Sequence, residues 1–219
     1  RKVAIILLAA ALMLALVSCG VAAVINVDSI QTWFSHYWKQ ITEQEMDTAQ
    51  TAVKSSDFEY ELLPDGTAEI TNSDVYLETA NIPSTIDGYT VTSIGEMAFW
   101  MCINLTEVTI PDTVTNIGED AFGMCEKLET VIVPESVTSI GASAFKCTPW
   151  IENRPNGCVY INNVLYDYKG ESSPGTEVIV RNGTVAISDL AFADCKNIVS
   201  VIISDSVTTV GKGAFSNCT

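Results

Sequence analysis

From residue 91 onward, apolar residues return at a fixed interval. The segment VTSIGEMAFWMCINLTEVTIPDT (91–113) is followed by VTNIGEDAFGMCEKLETVIVPES (114–136), and a third unit opens VTSIGASAFKC (137–147). After an interruption, TVAISDLAFADCKNIVSVIISDS (184–206) and VTTVGKGAFSNCT (207–219) resume the pattern. Phe99, Phe122 and Phe145 are 23 residues apart, as are Phe192 and Phe215, and 47 residues separate Phe145 from Phe192. A fixed period of this length marks a solenoid. In the second unit the apolar positions are Val114, Ile117, Ala121, Phe122, Cys125, Leu128, Val131 and Val133. Thr, Ser, Glu, Asp, Asn and Gly fill most of the rest. Val131 and Val133 alternate as a short strand with one face inward, and Pro134 follows where a proline ends pairing cheaply. One such coil cannot bury its apolar side alone. Stacked coils share a core and pair their short strands in parallel. The expected fold is a β-rich repeat solenoid of 23-residue coils with short parallel strands, preceded by a membrane-anchor helix.

The rest of the chain divides by pattern. Residues 3–27 carry no charge and follow Arg1 and Lys2; as a helix they would extend about 37 Å, enough to cross a bilayer. Residues 1–28 are therefore expected to be a signal or membrane anchor with the bases on the cytoplasmic side. Over residues 29–56, Ile30, Trp33, Phe34, Tyr37, Trp38, Ile41, Met46, Ala49 and Val53 recur at spacings that suit an amphipathic helical stalk. Residues 57–90 read as an acidic N-terminal cap and a partial first repeat, with Leu77, Ala80, Ile82 and Pro83 in the repeat frame. Residues 91–219 are the repeats, interrupted at about 148–173. There CVYINNVLYDY (158–168) has β-rich halves about Asn162-Asn163, which predicts a hairpin projecting from the stack. The chain opens on Arg1 and stops within a repeat, so it is expected to be a piece of a longer protein.

Cys102, Leu105, Val108, Ile110, Pro111, Val114, Ile117, Ala121 and Phe122 together form a pattern that resembles the BspA-type leucine-rich repeat of bacterial surface proteins. The resemblance spans about residues 57–219. It departs from the pattern at Ser188 for glycine, at Arg181 and Ser204 for proline, and at Cys147, which comes one residue early. It implies a leucine-rich-repeat solenoid at the bacterial cell surface and a role in adhesion, with a host matrix or cell-surface protein as partner.

Charge narrows the choice of partner. The formal net charge is −16, and residues 57–90 hold eight acids and no base. Such a surface repels phosphate backbones, so nucleic acid is not an expected partner. Solubility of a β-rich array accounts for most of the charge. No Gly-rich phosphate loop, histidine pair or activated serine is present, so neither cofactor nor metal nor enzymatic activity is expected. The one histidine, His36, lies between aromatic pairs and reads as a packing residue. Cys102, Cys125, Cys147, Cys195 and Cys218 fall at nearly one phase of the repeat, as buried cysteines acting as small hydrophobes. Neighbouring coils could bridge them, but unpaired core thiols are the expectation. Asn104 and Asn182 match glycan acceptor triplets, which carry little weight if the source is bacterial, as the resemblance implies.

Two candidate features remain. Leu16-Val17-Ser18-Cys19 resembles a lipobox, which makes Cys19 a possible lipidation site. The chain stays apolar beyond Cys19 and then turns aromatic, which favours an uncleaved anchor over a lipoprotein. Either arrangement is extracytoplasmic. The second feature is the outward side of the strands, where Glu107, Thr130, Glu177 and Ser200 form one row and Thr109, Ile132, Ile179 and Ile202 another. Three isoleucines in one row either support one another between strands or form an apolar stripe with an acidic border that binds a protein. The expected function is a membrane-anchored extracellular binding or adhesion protein. The alternatives are the targeting module of an enzyme whose catalytic domain lies beyond residue 219, and an architectural spacer.

Overall fold

Each coil passes through two short strands, and each strand joins a different ladder. The computed structural model describes residues 53–55, 57–170 and 173–218. The first ladder holds β4 (Thr79–Asn81), β7 (Glu107–Thr109) and β9 (Thr130–Ile132), all parallel. The second holds β3 (Ala68–Ser73), β6 (Tyr89–Ile94), β8 (Asn116–Ile117) and β10 (Ser139–Ile140), also parallel. Registers follow the period: Val108 pairs with Val131, and Ile94 with Ile117. The 23-residue solenoid with short parallel strands is thus observed. The anchor segment lies outside the described residues, among which no helix is long and apolar enough to cross a membrane.

Between the ladders the turn carrying Ala-Phe points inward. Phe99, Phe122 and Phe145 are fully buried and stacked, with centroids 4.8 and 5.2 Å apart. Leu105 and Leu128 repeat one column and Val114 and Ile117 close another, all at zero exposure. The turn is sharp because two residues per coil are left-handed, Asp120 (φ 51°) and Met124 (φ 60°) in the second unit. Met97 with Met101 and Leu190 with Asp194 repeat this placement, a conformation that L-residues adopt at a cost. Glycine is required just before the turn, because coils approach closely there. A Cβ on Gly118 would stand 2.6 Å from the Glu96 nitrogen, and one on Gly141 2.5 Å from that of Glu119.

The amino-terminal end is closed by an antiparallel meander. β1 (Val53–Ser55) pairs with β2 (Phe58–Leu62), which pairs with β3. This corrects the helical stalk at its end, since Val53–Ser55 is a strand. β-branched Val53 and the turn before Phe58 favour pairing there over continued helix. Phe58 covers the ring column, 5.9 Å from Phe99. β5 (Thr85–Ile86) and β6 form a second hairpin about Asp87 and Gly88, both at positive φ.

The interruption does not project from the stack, and that expectation is corrected. After the one-turn helix α1 (Pro149–Glu152), β11 (Gly157–Ile161) and β12 (Val164–Lys169) form the antiparallel hairpin read from the sequence. However, β12 then pairs in parallel with β14 (Ala186–Ile187), which pairs with β16 (Thr209–Val210). Its residues are too apolar to project: Val159, Ile161, Val164, Leu165 and Tyr166 are all buried. The hairpin takes the place of a coil without restoring the ladders. β10 ends one sheet, β12 belongs to another, and β13 (Thr176–Ile179) pairs with β15 (Ile198–Ile202) apart from β9.

Side chains fill the hydrogen bonds that the break removes. In intact coils, Phe99 and Phe122 donate their N–H to the Ala121 and Ala144 carbonyls. At the break the Phe145 N–H goes instead to the Tyr166 hydroxyl, at 3.0 Å. The Arg181 N–H goes to the Tyr160 hydroxyl, at 2.9 Å. The Asn162 amide donates to the carbonyls of Val133 and Pro134, at 3.0 and 2.9 Å. Lys169 reaches the carbonyls of Ile151, Glu152 and Arg154 at the end of α1, and pairs with the Glu152 carboxylate at 3.5 Å.

Candidate functional site

The outward strand positions follow from alternation. In β9, Val131 is buried, so Thr130 and Ile132 on either side must face out. In β7, Val108 is buried between exposed Glu107 and half-buried Thr109. In β13, Val178 is buried between exposed Glu177 and Ile179. Registry then sets the rows: Glu107 opposes Thr130, Thr109 opposes Ile132, Glu177 opposes Ser200, and Ile179 opposes Ile202.

The structure therefore brings the eight candidate residues together in two groups of four. It does not join them in one continuous row, because β9 and β13 lie in different sheets. The period groups them in one row because the 23-residue pattern resumes beyond the interruption, although 47 residues, one more than two periods, separate Ile132 from Ile179. Ile179 and Ile202 are direct cross-strand neighbours, which is the mutual support expected of β-branched pairs. That support does not bury them. Ile132 is 52% exposed, Ile179 72% and Ile202 56%. The carboxylates of Glu107 and Glu177 stand exposed in the adjoining row. The face is thus apolar at its centre and acidic at its margin.

Three details depart from the period. Pairing slips between Thr176 and Glu177, so Thr176 opposes Ile198 and Val199 becomes the extra residue of an irregularity. Val199 is 67% exposed beside the isoleucine pair, outward as the 23-residue frame places it, although it no longer opposes Thr176. Ile203, one period beyond buried Val180, is exposed, because it follows edge strand β15. Asn162, at the hairpin tip, spends its amide on Val133 and Pro134, while Asn163 is exposed and reaches Glu135 at 3.3 Å. Arg181, one of the departures from the repeat pattern, lies 4.3 Å over the Tyr160 ring and also donates to the Asn162 carbonyl. Replacing proline, it restores an N–H and adds a cation that holds the hairpin to the next coil.

The cysteine column is structural where it is resolved. Cys125 donates its thiol to the Phe99 carbonyl at 3.1 Å, and Cys218 to that of Phe192 at 2.8 Å. The hydrogen bond to Cys102 and then burial hold the Cys125 thiol protonated, above its ordinary range. Burial also raises Cys195, to about 11. Cys102, Cys125, Cys158, Cys195 and Cys218 are free thiols, whereas Cys147 is not among them. The expectation of unpaired thiols thus holds at four of its five positions. Cys19 lies outside the described residues.

Comparison with known protein families agrees with this architecture. The model of the BspA type leucine rich repeat region matches residues 69–167 and 161–219, in six copies. A leucine-rich repeat protein of T. pallidum is 26% identical, over 76% of this chain and 67% of that one, with a TM-score of 0.48. One from Bacteroides ovatus is 32% identical over 76% of this chain, which spans only 45% of its length, with a TM-score of 0.48. One from Bacteroides capillosus is 25% identical, over 74% of this chain and 99% of that one, with a TM-score of 0.43. No match was found among curated proteins.

Proposed function

Because the chain belongs to the BspA-type leucine-rich repeat family, we propose that it is an adhesive binding module held outside the cytoplasmic membrane by its apolar first segment. Its partner is a protein, a host matrix or cell-surface protein, and its part is to bind and not to catalyse. The observation that carries this reading is the exposure of Ile132, Ile179 and Ile202 on strands whose outward positions ordinarily favour polar residues. Their inward neighbours Val131, Val178 and Val180 already fill the core, so the isoleucines are not needed there. Apolar centres with polar margins are the usual anatomy of a protein-binding patch.

The test begins with a screen of the compact unit Val53–Thr219 against matrix proteins and cell surfaces. A variant with Ile132, Ile179 and Ile202 all changed to Thr keeps β-branching while removing the stripe. Binding to the partner found should weaken about five- to hundredfold, equivalent to roughly 1–3 kcal/mol, with melting unchanged. Unaltered binding would remove the stripe from the site, and a large fall in melting temperature would make the row structural. The anchor has its own test. Cys19→Ser should leave both protein size and membrane fractionation unchanged, whereas loss of a lipid label from the mutant would favour a lipoprotein.

A further inference from the structure

A crevice of about 590 Å³ runs along the break between the two second-ladder sheets, a volume typical of ligand sites. β8 and β10 line one side and β14 and β16 the other, with Val164 of β12 between them. It lies on the other ladder from the isoleucine face.

The main chain beside it is incomplete. In intact coils the carbonyls of Thr115 and Ile117 accept the N–H groups of Thr138 and Gly141, at 3.0 and 2.8 Å. Beyond the hairpin, those of Val185 and Ile187 accept from Thr208 and Gly211, at 2.9 and 2.8 Å. The equivalent carbonyls, on Thr138 just before β10 and on Ile140 within it, accept no hydrogen bond among the described residues. β10 is an open edge facing the crevice, the arrangement to which an added strand pairs.

A second observation is independent of the first. Ser188 stands in the column otherwise held by Gly95, Gly118, Gly141 and Gly211, where neighbouring coils leave no room for a Cβ. The element that precedes it in the stack is hairpin strand β12 and not a regular coil. Ser188 is only 4% exposed, lines the crevice, and its hydroxyl has no hydrogen-bond partner. A buried hydroxyl left unpaired is costly, and a ligand that bonds to it recovers that cost.

Charge defines what fits. Glu119 and Asp189 line the crevice, and no Lys, Arg or aromatic side chain does. With two open carbonyls and two carboxylates, the walls are rich in acceptors and call for a ligand rich in donors and positive charge. We propose that the crevice binds an extended basic polypeptide segment, which adds as a strand to β10. Its N–H groups meet the Thr138 and Ile140 carbonyls, its cationic side chains meet Glu119 and Asp189, and Ser188 bonds to its main chain. The absence of a ring on which a sugar face could stack favours a peptide over a glycan.

The test uses the full chain in non-ionic detergent and a fluorescein-labelled hexapeptide of alternating lysine and valine, read by anisotropy. Saturable binding that weakens with added salt is expected. Ser188→Gly, which restores the glycine column, should weaken it about three- to tenfold, as loss of one hydrogen bond does. Glu119→Gln, at an exposed position, should weaken it and lessen the salt dependence, and it decides the question if the serine variant fails to fold. The triple isoleucine variant should bind as wild type, which separates this site from the adhesive face. No binding, binding indifferent to both substitutions, equal binding of a glutamate-valine hexapeptide, or binding of maltohexaose in place of the peptide would each overturn the proposal.

Discussion

Tyr166→Phe removes one oxygen from the repaired break and nothing else. The ring is 5% exposed and packs edge-on against Phe145, with centroids 5.9 Å apart. Phenylalanine occupies the same volume, so no cavity opens. The Phe145 N–H, which donates to the hydroxyl at 3.0 Å, is left in the apolar interior with no partner. Forfeiting a hydrogen bond between a buried donor and an equally buried acceptor costs about 1–3 kcal/mol, most of it the desolvation of the orphaned N–H. Burial also holds the phenol neutral, above its ordinary titration range, so the loss should not vary between pH 5 and 9. Tyr160→Phe is the control. Its hydroxyl accepts from Arg181 at an exposed position, where water can replace it, and the change should stay within about 0.5 kcal/mol. Urea unfolding gives both values, and amide exchange at Phe145 localises the first. Equal stability of the two variants, with unchanged protection of the Phe145 amide, would refute the view that this hydroxyl stands in for a missing coil.

Other expectations follow from the stack itself. Phe122→Ala, between two stacked rings at zero exposure, should cost about 3–5 kcal/mol. Thr130→Ala on the outward face should cost no more than about 0.5 kcal/mol, and equal losses in urea would mean that the phase of the coil is wrong. Gly118→Ala forces a Cβ to within 2.6 Å of the Glu96 nitrogen, and the coil shift needed should lower stability by about 1–3 kcal/mol. Burial first, and the Glu119 charge second, raise Asp120 from 3.8 to about 6. A raised folded pKa means that its stabilising contribution is complete below 3.8 and is lost as pH rises through about 6. Asp120→Asn should therefore be more stable than wild type at pH 7, by about 1–2 kcal/mol after screening. The difference should shrink toward pH 4; a constant gap in melts across that range would sink the argument.

Much of the fold was legible because the period is a direct record of packing. The spacing of Phe99, Phe122 and Phe145 is the spacing of a ring column, and the Val131 alternation places Thr130 and Ile132 outward. Where the period failed, tertiary pairing decided. The hairpin was read from Asn162-Asn163 and its flanking β-rich halves, but nothing local says that β12 will pair with β14. That follows from burial of both faces, Val164 toward the first half of the stack and Leu165 toward the second. The departures at Arg181 and Ser188 were visible as letters that broke the pattern. Their meaning needed neighbours distant in sequence, Tyr160 for the one and the displaced hairpin for the other. The slip at Val199 had no sequence signal, because Ile198, Val199 and Val201 are all strand formers and either register suits their composition.

The interrupted ladder also shapes how the array responds to load. Across an intact pair of coils, force passes through rows of backbone hydrogen bonds that must break together. Across the hairpin it passes through apolar contact and the tethers of Tyr166, Asn162 and Lys169. A solenoid gains cooperativity only from coupling between neighbours, so the coils on either side should open as two units, with the seam as the point of rupture. In an array pulled along its axis, that seam is a mechanical fuse. Unravelling residues 157–218, the hairpin and the coils paired to it, would release about 210 Å of chain while the amino-terminal coils stay folded.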